Sequence, residues 1–230
     1  MKKIILISII FLTIIIWSYP KKTTANYNGS PGGKTNSPLD GISCTMCHSG
    51  NINSGAGSFY LTSNIPLNGY IAGETYTITI QGSHPTYIKY GFELTAESNM
   101  GKVGGFTINN SSQTKLTNNN NAVTHKSSGT LGNPDKTWDV NWTAPITGHN
   151  TVNFYLSGMA ANGNTTNDPG DEVYTNILSV SEQNSLSMTE IENNNNIFIN
   201  SNVINIKADK PLKSIELFNI SGQRVMNIQN

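Results

Sequence analysis

Charged side chains are scarce in this 230-residue chain, which has 14 Lys plus Arg against 14 Asp plus Glu and only 12% charged residues. Residues 1–25 carry four lysines and no acid, so the rest of the chain holds 10 basic against 14 acidic side chains. Electrostatic binding of nucleic acid needs a basic surface. The composition therefore argues against a nucleic-acid partner.

Helical periodicity is also lacking, since no apolar pattern recurs at i, i+3, i+4 and i+7 over a dozen residues. The chain has 33 Asn and 21 Gly, which favour turns over helices. Short segments alternate apolar and polar residues at period two; examples are 75–80, 90–95, 138–142 and 152–156. This pattern predicts about eight strands between Ser58 and Val180. Without intervening helices the strands should pair antiparallel, which predicts an all-β sandwich.

Long hydrophobic runs are absent except near the start, where an apolar run extends from Ile4 to Trp17. Two lysines precede this run and small residues follow it, as in a secretory signal peptide. We expect residues 1–25 to be that signal, cleaved near Ala25, and the mature protein to be exported. The alternative is an uncleaved membrane anchor, although the run is shorter than the ~20 residues of a spanning helix.

Polar segments divide the remaining chain. Residues 26–40 are rich in Gly, Pro, Ser and Asn, and four consecutive asparagines begin at Asn193. Four short apolar segments follow, with a tight turn at Ser221-Gly222. The predicted parts are a signal peptide at 1–25, an irregular arm at 26–57, a β-sandwich at 58–181, a linker at 182–196 and a small β unit at 197–230.

Only two cysteines occur, and both lie in Cys44-Thr45-Met46-Cys47-His48. Two thiols at this spacing can each add to a vinyl group on one haem edge, and the adjacent imidazole can ligate the iron. The motif therefore predicts one covalent haem c, bound through Cys44 and Cys47, with His48 as a metal ligand.

Three other interpretations of the motif stay open. A disulfide between Cys44 and Cys47 is one, because exported cysteines normally oxidise. A thiol–disulfide exchange motif is another, but it needs a helix N-terminus to lower the thiol pKa, and Gly and Ser flank this one. A zinc site would lack a second Cys pair.

A haem that only transfers electrons needs a second axial ligand. The candidates are His84, His125, His149, Met46, Met100 and Met159. His84 and His149 lie in turn-like segments and are expected to be exposed. His125 stands in the strand-like segment 122–126 and is the preferred metal ligand; the alternative is a hydrogen-bonded strand histidine.

Other chemical motifs are weak. Asp168, Asp171 and Glu172 could gather oxygen ligands for calcium, although their spacing is not that of an EF-hand and an acidic turn is the simpler interpretation. No Ser/His/Asp arrangement, recognisable carboxylate pair or Gly-rich phosphate loop occurs. The sequence thus favours a protein that is not an enzyme.

Several segments together resemble a known family. They are 30–33, 44–50, 73–78, 90–94, 101–104, 123–125, 138–145 and 152–155. They are similar to the reeler-like domain of exported Bacteroidetes proteins, often called choice-of-anchor V. The resemblance covers roughly residues 30–180 and implies an immunoglobulin-like β-sandwich related to the reelin N-terminal domain. It also implies a CxxCH motif at the N-terminal edge, matched by Cys44, Cys47 and His48, and a family histidine matched by His125.

The tail carries a second resemblance. Residues 215–225 resemble the central hairpin of the type A C-terminal sorting domain read by the type IX secretion system. This implies that machinery as a partner, and the cell surface or outer membrane as a destination. Such domains usually continue for another strand and end with a basic residue, so the sorting domain here is predicted to be partial.

Together these patterns predict an exported, single-haem c-type cytochrome-like protein, active in electron transfer or redox sensing at the cell surface with an unidentified redox partner. The alternative from a different class is a haem-free surface adhesion or matrix-binding module, in which Cys44 and Cys47 form a disulfide.

Overall fold

The computed structural model describes residues 26–48, 50–146, 148–165, 170–183, 196–201, 203–208 and 211–229. The predicted signal peptide, Asp168 and most of the predicted linker lie outside these residues. No helix in the described part of the chain is long and apolar enough to cross a membrane.

Ten strands make up the first unit of the protein. They are β1 (Ser58–Ser63), β2 (Thr75–Ser83), β3 (Lys89–Ser98), β4 (Gly101–Lys102), β5 (Gly105–Ile108), β6 (Thr114–Thr117), β7 (Ala122–His125), β8 (Asp135–Thr143), β9 (Thr151–Ala161) and β10 (Glu172–Ser181). Short 3₁₀ turns occur at Cys44–Met46 and Ser127–Gly129. More strands form than the sequence predicted because a two-residue strand such as β4 is too short to show a period of two.

The strands form two antiparallel sheets, with the orders β1-β2-β8-β5 and β10-β9-β3-β7-β6; β4 also pairs with β3. Alternate side chains of facing strands fill the space between the sheets. Trp142 of β8 meets Phe154 of β9 edge to face, with ring centroids 4.9 Å apart. Burying such side chains contributes about 1.5–3 kcal/mol each. The predicted all-β antiparallel sandwich is therefore confirmed.

Strand β3 is buried on both faces along nearly its whole length. Tyr90, Phe92 and Leu94 pack into the core, whereas Glu93 and Glu97 point to the opposite face yet are 0% and 3% exposed. The arm before β1 covers this outer face, as its hydrogen bonds to both carboxylates show. The fold thus brings the segment that carries the cysteines onto the larger sheet.

The second unit comprises residues Ser185–Asn230, after a first unit of Met1–Asn184. It contains β11 (Asn196–Asn200), β12 (Val203–Lys207), β13 (Ser214–Phe218) and β14 (Arg224–Gln229), paired as two antiparallel hairpins. These strands form where the sequence pattern places them. Large apolar side chains such as Ile199 and Val225 are exposed in it.

Candidate functional site

Glu93 of β3 provides the first attachment point for the arm. Its carboxylate accepts hydrogen bonds from the Ser30 hydroxyl and, over 2.7 Å, from the Gly33 amide. Burial raises the pKa of Glu93 even though both hydrogen bonds favour the charged form. A buried carboxylate without such donors would be costly, so the arm and β3 stabilise each other.

Glu97 provides the second attachment point. It accepts the Ser37 hydroxyl over 2.5 Å and the Leu39 amide over 3.4 Å. The Lys102 ammonium lies 3.2 Å from Glu97 and 2.8 Å from Asp40 of the arm. Burial opposes the charge on Asp40, but Lys102 and a hydroxyl neighbour outweigh it and hold its pKa below the usual value. The chain just before the cysteines is therefore tied to the sheet at two places.

The cysteine motif lies against β9. Ser43 caps the 3₁₀ turn by accepting the Thr45 amide over 3.2 Å, and the Cys44 amide donates to the Ser157 hydroxyl over 3.2 Å. Both cysteines are free thiols; Cys44 is half-buried and Cys47 is exposed. Burial raises the pKa of the Cys44 thiol to about 11. Because exchange motifs depend on a lowered thiol pKa, this site does not fit thiol–disulfide exchange.

His48 is buried, and its imidazole is held by the carboxylate of Asp171, which lies 123 residues later in the sequence. Its Nδ1 lies 2.7 Å from Asp171 Oδ2, while Oδ1 of the same carboxylate accepts the Asn162 amide over 3.1 Å. This bond fixes the imidazole ring and leaves Nε2 available to a metal, an arrangement common around metal-binding histidines. Sequence reasoning missed this role of Asp171, and no local pattern signals it.

A cavity of about 340 Å³ opens beside His48, within the range typical of ligand pockets. Its wall includes His48, Gly91, His125 and Met159. A smaller space of about 50 Å³ shares these four residues and is also lined by Cys44 and Cys47. The fold therefore brings together all four predicted site residues, namely Cys44, Cys47, His48 and His125.

His125 is the last residue of β7, as the sequence pattern indicated, and is 6% exposed. Its Nδ1 accepts the Phe92 amide of β3 over 3.0 Å. Burial, with a smaller effect from the nearby Lys115 ammonium, lowers the pKa of His125 to about 4. The imidazole is therefore neutral at pH 7.

The expectation that His84 is exposed is wrong. His84 is 3% exposed because its ring stacks on Tyr87 at 4.2 Å and its Nε2 lies 3.0 Å from Glu172 Oε2. Its Nδ1 also accepts the amides of Thr86 and Tyr87, so the turn wraps around the ring. His84 lines neither space beside His48.

The remaining candidate ligands, one histidine and three methionines, differ in whether they line the two spaces beside His48. His149 is half-buried near Ser98 and lines neither space. Met46 and Met100 are 64% and 69% exposed. Met159 of β9 is the one methionine of the three that lines both spaces, so it joins His125 as a neighbour of the site.

Two carboxylates of the acidic turn each contact a histidine side chain. Asp171 holds His48 and Glu172 holds His84, while Asp168 lies outside the described residues. Within the described part of the chain, no group of three or more His, Cys, Asp or Glu could hold a metal ion. The calcium and zinc interpretations therefore gain no support there.

The residues present fit a covalent haem. Two thiols, an imidazole whose Nδ1 is anchored and a cavity lie side by side, which is the donor set that haem c requires. Among the described residues that line the same space, His48 and His125 are the two imidazoles that a bare metal ion would find.

Comparison with known proteins identifies the sandwich. The Reeler domain family model matches residues 43–163, more than half of the chain. The human F-spondin reeler domain is 22% identical, covering 58% of this chain and 95% of that chain with a TM-score of 0.44. The Reelin-N domain of F-spondin is 22% identical, covering 60% of this chain and 94% of that chain with a TM-score of 0.42. A type II cohesin domain from Acetivibrio cellulolyticus is 9% identical, covering 55% of this chain and 95% of that chain with a TM-score of 0.34.

No curated protein matches the chain. Reeler domains are extracellular modules of the adhesion or matrix type, which agrees with an exported protein. A match over 43–163 takes in the cysteine motif, most of the residues that line the cavity and most of the sandwich. This chain belongs to the Reeler domain family.

Proposed function

We propose that this protein is an exported reeler module that carries one covalently attached haem c and serves electron transfer or redox sensing at the cell surface. The observation that supports the proposal is the anchored His48 imidazole, which opens onto the same small space as Cys44 and Cys47. A haem bound there would supply a one-electron couple.

Each residue has a separate role in this proposal. Cys44 and Cys47 would form the thioether bonds, and His48 would offer Nε2 to the iron. Asp171 keeps a proton on His48 Nδ1 and so fixes the ring orientation. His125 lines the same space, where its imidazole would act as a metal ligand or as a hydrogen-bond donor.

Delivery to the surface is a further part of the proposal. The second unit would act as a sorting domain for the type IX secretion machinery, which would bring the sandwich to the cell surface or outer membrane. Its two hairpins and the resemblance of 215–225 support this role.

Haem attachment is tested by producing the chain with its signal in a host that has haem-attachment machinery. We expect the intact mass to rise by one haem and the pyridine haemochrome to show the c-type band. Cys44→Ala with Cys47→Ala should lose both signals because no thioether can form. Met46→Leu is the matched control, since it lies between the cysteines, is exposed and preserves their spacing.

A haem-free extracellular adhesion or matrix-binding module is the second candidate, and membership of the Reeler family favours it. In this case Cys44 and Cys47 would form a disulfide. The same experiment separates the two. A wild-type mass two hydrogens below the reduced chain, with no Soret band, would contradict haem attachment and put the adhesion module first. Family and fold favour the second candidate, whereas the site geometry favours the first.

A further inference from the structure

The side chain of His125 takes the place of a backbone group in the sheet. The ladder between β3 and β7 pairs Thr95 with Ala122, Leu94 with Val123 and Glu93 with Thr124, and it stops there. At the next position the Phe92 amide donates to His125 Nδ1 over 3.0 Å. A buried backbone N–H requires an acceptor, so this bond favours an Nδ1 that carries no proton.

The neighbouring contacts agree with that assignment. Nδ1 also lies 3.3 Å from the Phe92 carbonyl, but this carbonyl already accepts the Thr124 hydroxyl over 2.7 Å. A proton on Nδ1 would add a long second bond to Phe92 and leave the Phe92 amide facing another donor. In the neutral imidazole the proton therefore sits on Nε2.

Nε2 is the ring nitrogen that remains for the space beside His48, which His125 lines. No described residue forms a hydrogen bond with Nε2. Among the described residues, Tyr70 Oη is the one fully buried side-chain nitrogen or oxygen without a partner, so Nε2 itself is not fully buried. His125 lines both the larger and the smaller space. The ring lies on Gly91, where a Cβ would stand 2.6 Å from Cε1, so the sequence leaves room for the imidazole at this place.

We propose that His125 is not an iron ligand but donates its Nε2–H to a small anionic ligand bound in the cavity beside His48. This inference rests on the proposed haem attachment. An imidazole nitrogen that carries a proton has no lone pair for a metal, so the sixth position is left to a small ligand from solution. A charged acceptor suits a buried donor because hydrogen bonds to ions are the stronger ones.

Azide binding to the ferric haem protein tests the role of His125. We expect the wild type to bind azide and His125→Leu to bind it roughly tenfold or more weakly, because a hydrogen bond to a charged group is lost. His125→Gln keeps an N–H donor and should retain most of the affinity. Carbon monoxide, a poor acceptor, should bind the ferrous wild type and His125→Leu within about threefold of each other. His149→Leu lines neither space and serves as the control variant.

The opposite result is equally clear. A low-spin wild-type spectrum without azide binding, together with a high-spin spectrum in His125→Leu, would show His125 as the sixth ligand and overturn the inference. Haem attachment would still stand in that case, because the haemochrome and the added mass persist. Absence of the haemochrome would remove both proposals.

A second measurement needs neither haem nor a variant that folds. Long-range ¹⁵N–¹H NMR of the haem-free wild-type chain reports which ring nitrogen of His125 carries the proton. We expect the Nε2–H tautomer at pH 7. An Nδ1–H tautomer would overturn the inference, whatever the azide titration shows.

Discussion

At Gly91 the core of the site has no room for a methyl group. A Cβ there would lie 2.6 Å from Cε1 and 3.1 Å from both ring nitrogens of His125. His125 cannot move away freely, since its Nδ1 accepts the Phe92 amide. The absence of a side chain at one position of β3 therefore determines where an imidazole of β7 can lie.

Gly91→Ala should lower the free energy of unfolding by about 1–3 kcal/mol, as overpacking of a filled interior does. Gly105→Ala in β5 is the matched control, because nothing lies within 4 Å of its Cβ position, and its stability should change by less than about 0.5 kcal/mol. Urea denaturation of the two variants and the wild type measures both values. Equal stability of the two variants would show that the His125 ring is not confined.

The sequence predicts the residues of the site better than their partners. Spacing alone identifies Cys44, Cys47 and His48, since their chemistry depends on a short local motif. Asp171 and Ser157 follow the motif by more than 100 residues, and only the tertiary fold brings them to His48 and Cys44. The burial of His84 escapes sequence reasoning for the same reason, because its partner Glu172 lies 88 residues later in the sequence.

At the scale of elements, the period-two alternation predicts the strands, but it does not predict that the arm docks on the sheet. Among its described residues, the arm is regular only in the 3₁₀ turn at Cys44–Met46. Its order comes from the carboxylates of β3, which in the sequence look like the polar positions of a half-exposed strand. Alternation reveals which residues share a face, but it does not reveal that another segment will cover that face.

Glu97→Ala should loosen the arm, because Glu97 bonds both Ser37 and Leu39. Loss of a buried charged acceptor costs about 1–3 kcal/mol, so amide hydrogen exchange across 30–43 should accelerate roughly tenfold or more. Glu74→Ala is the control, since Glu74 is exposed and its side chain makes no ion pair among the described residues. The docking interpretation fails if both variants exchange at the wild-type rate in this segment.

For the whole molecule, the two units differ in how they bury apolar side chains. The core cluster of the protein is drawn from residues 59–174, all in the first unit. In the second unit, strands β11 to β14 leave side chains such as Phe198 and Ile228 about half exposed, at 53% and 52%. The stability of the sandwich should therefore depend little on the second unit.

A chain that ends at Asn184 should keep the melting temperature of the sandwich within about 3 °C, which corresponds to less than about 1 kcal/mol. This end point retains the Gln183 amide, which donates to the Tyr70 carbonyl over 2.7 Å. Calorimetry of the shortened and full chains makes the comparison. A fall of ~10 °C would show that the sandwich needs the second unit.

The bond between His48 and Asp171 joins positions 123 residues apart. At synthesis rates of about 5–20 residues per second, Asp171 leaves the ribosome roughly 6–25 s after His48. During that interval the motif has its thiols and imidazole but neither the anchoring carboxylate nor β9 to lie on. The His48 ring therefore becomes fixed only when the last strands of the sandwich join the sheet.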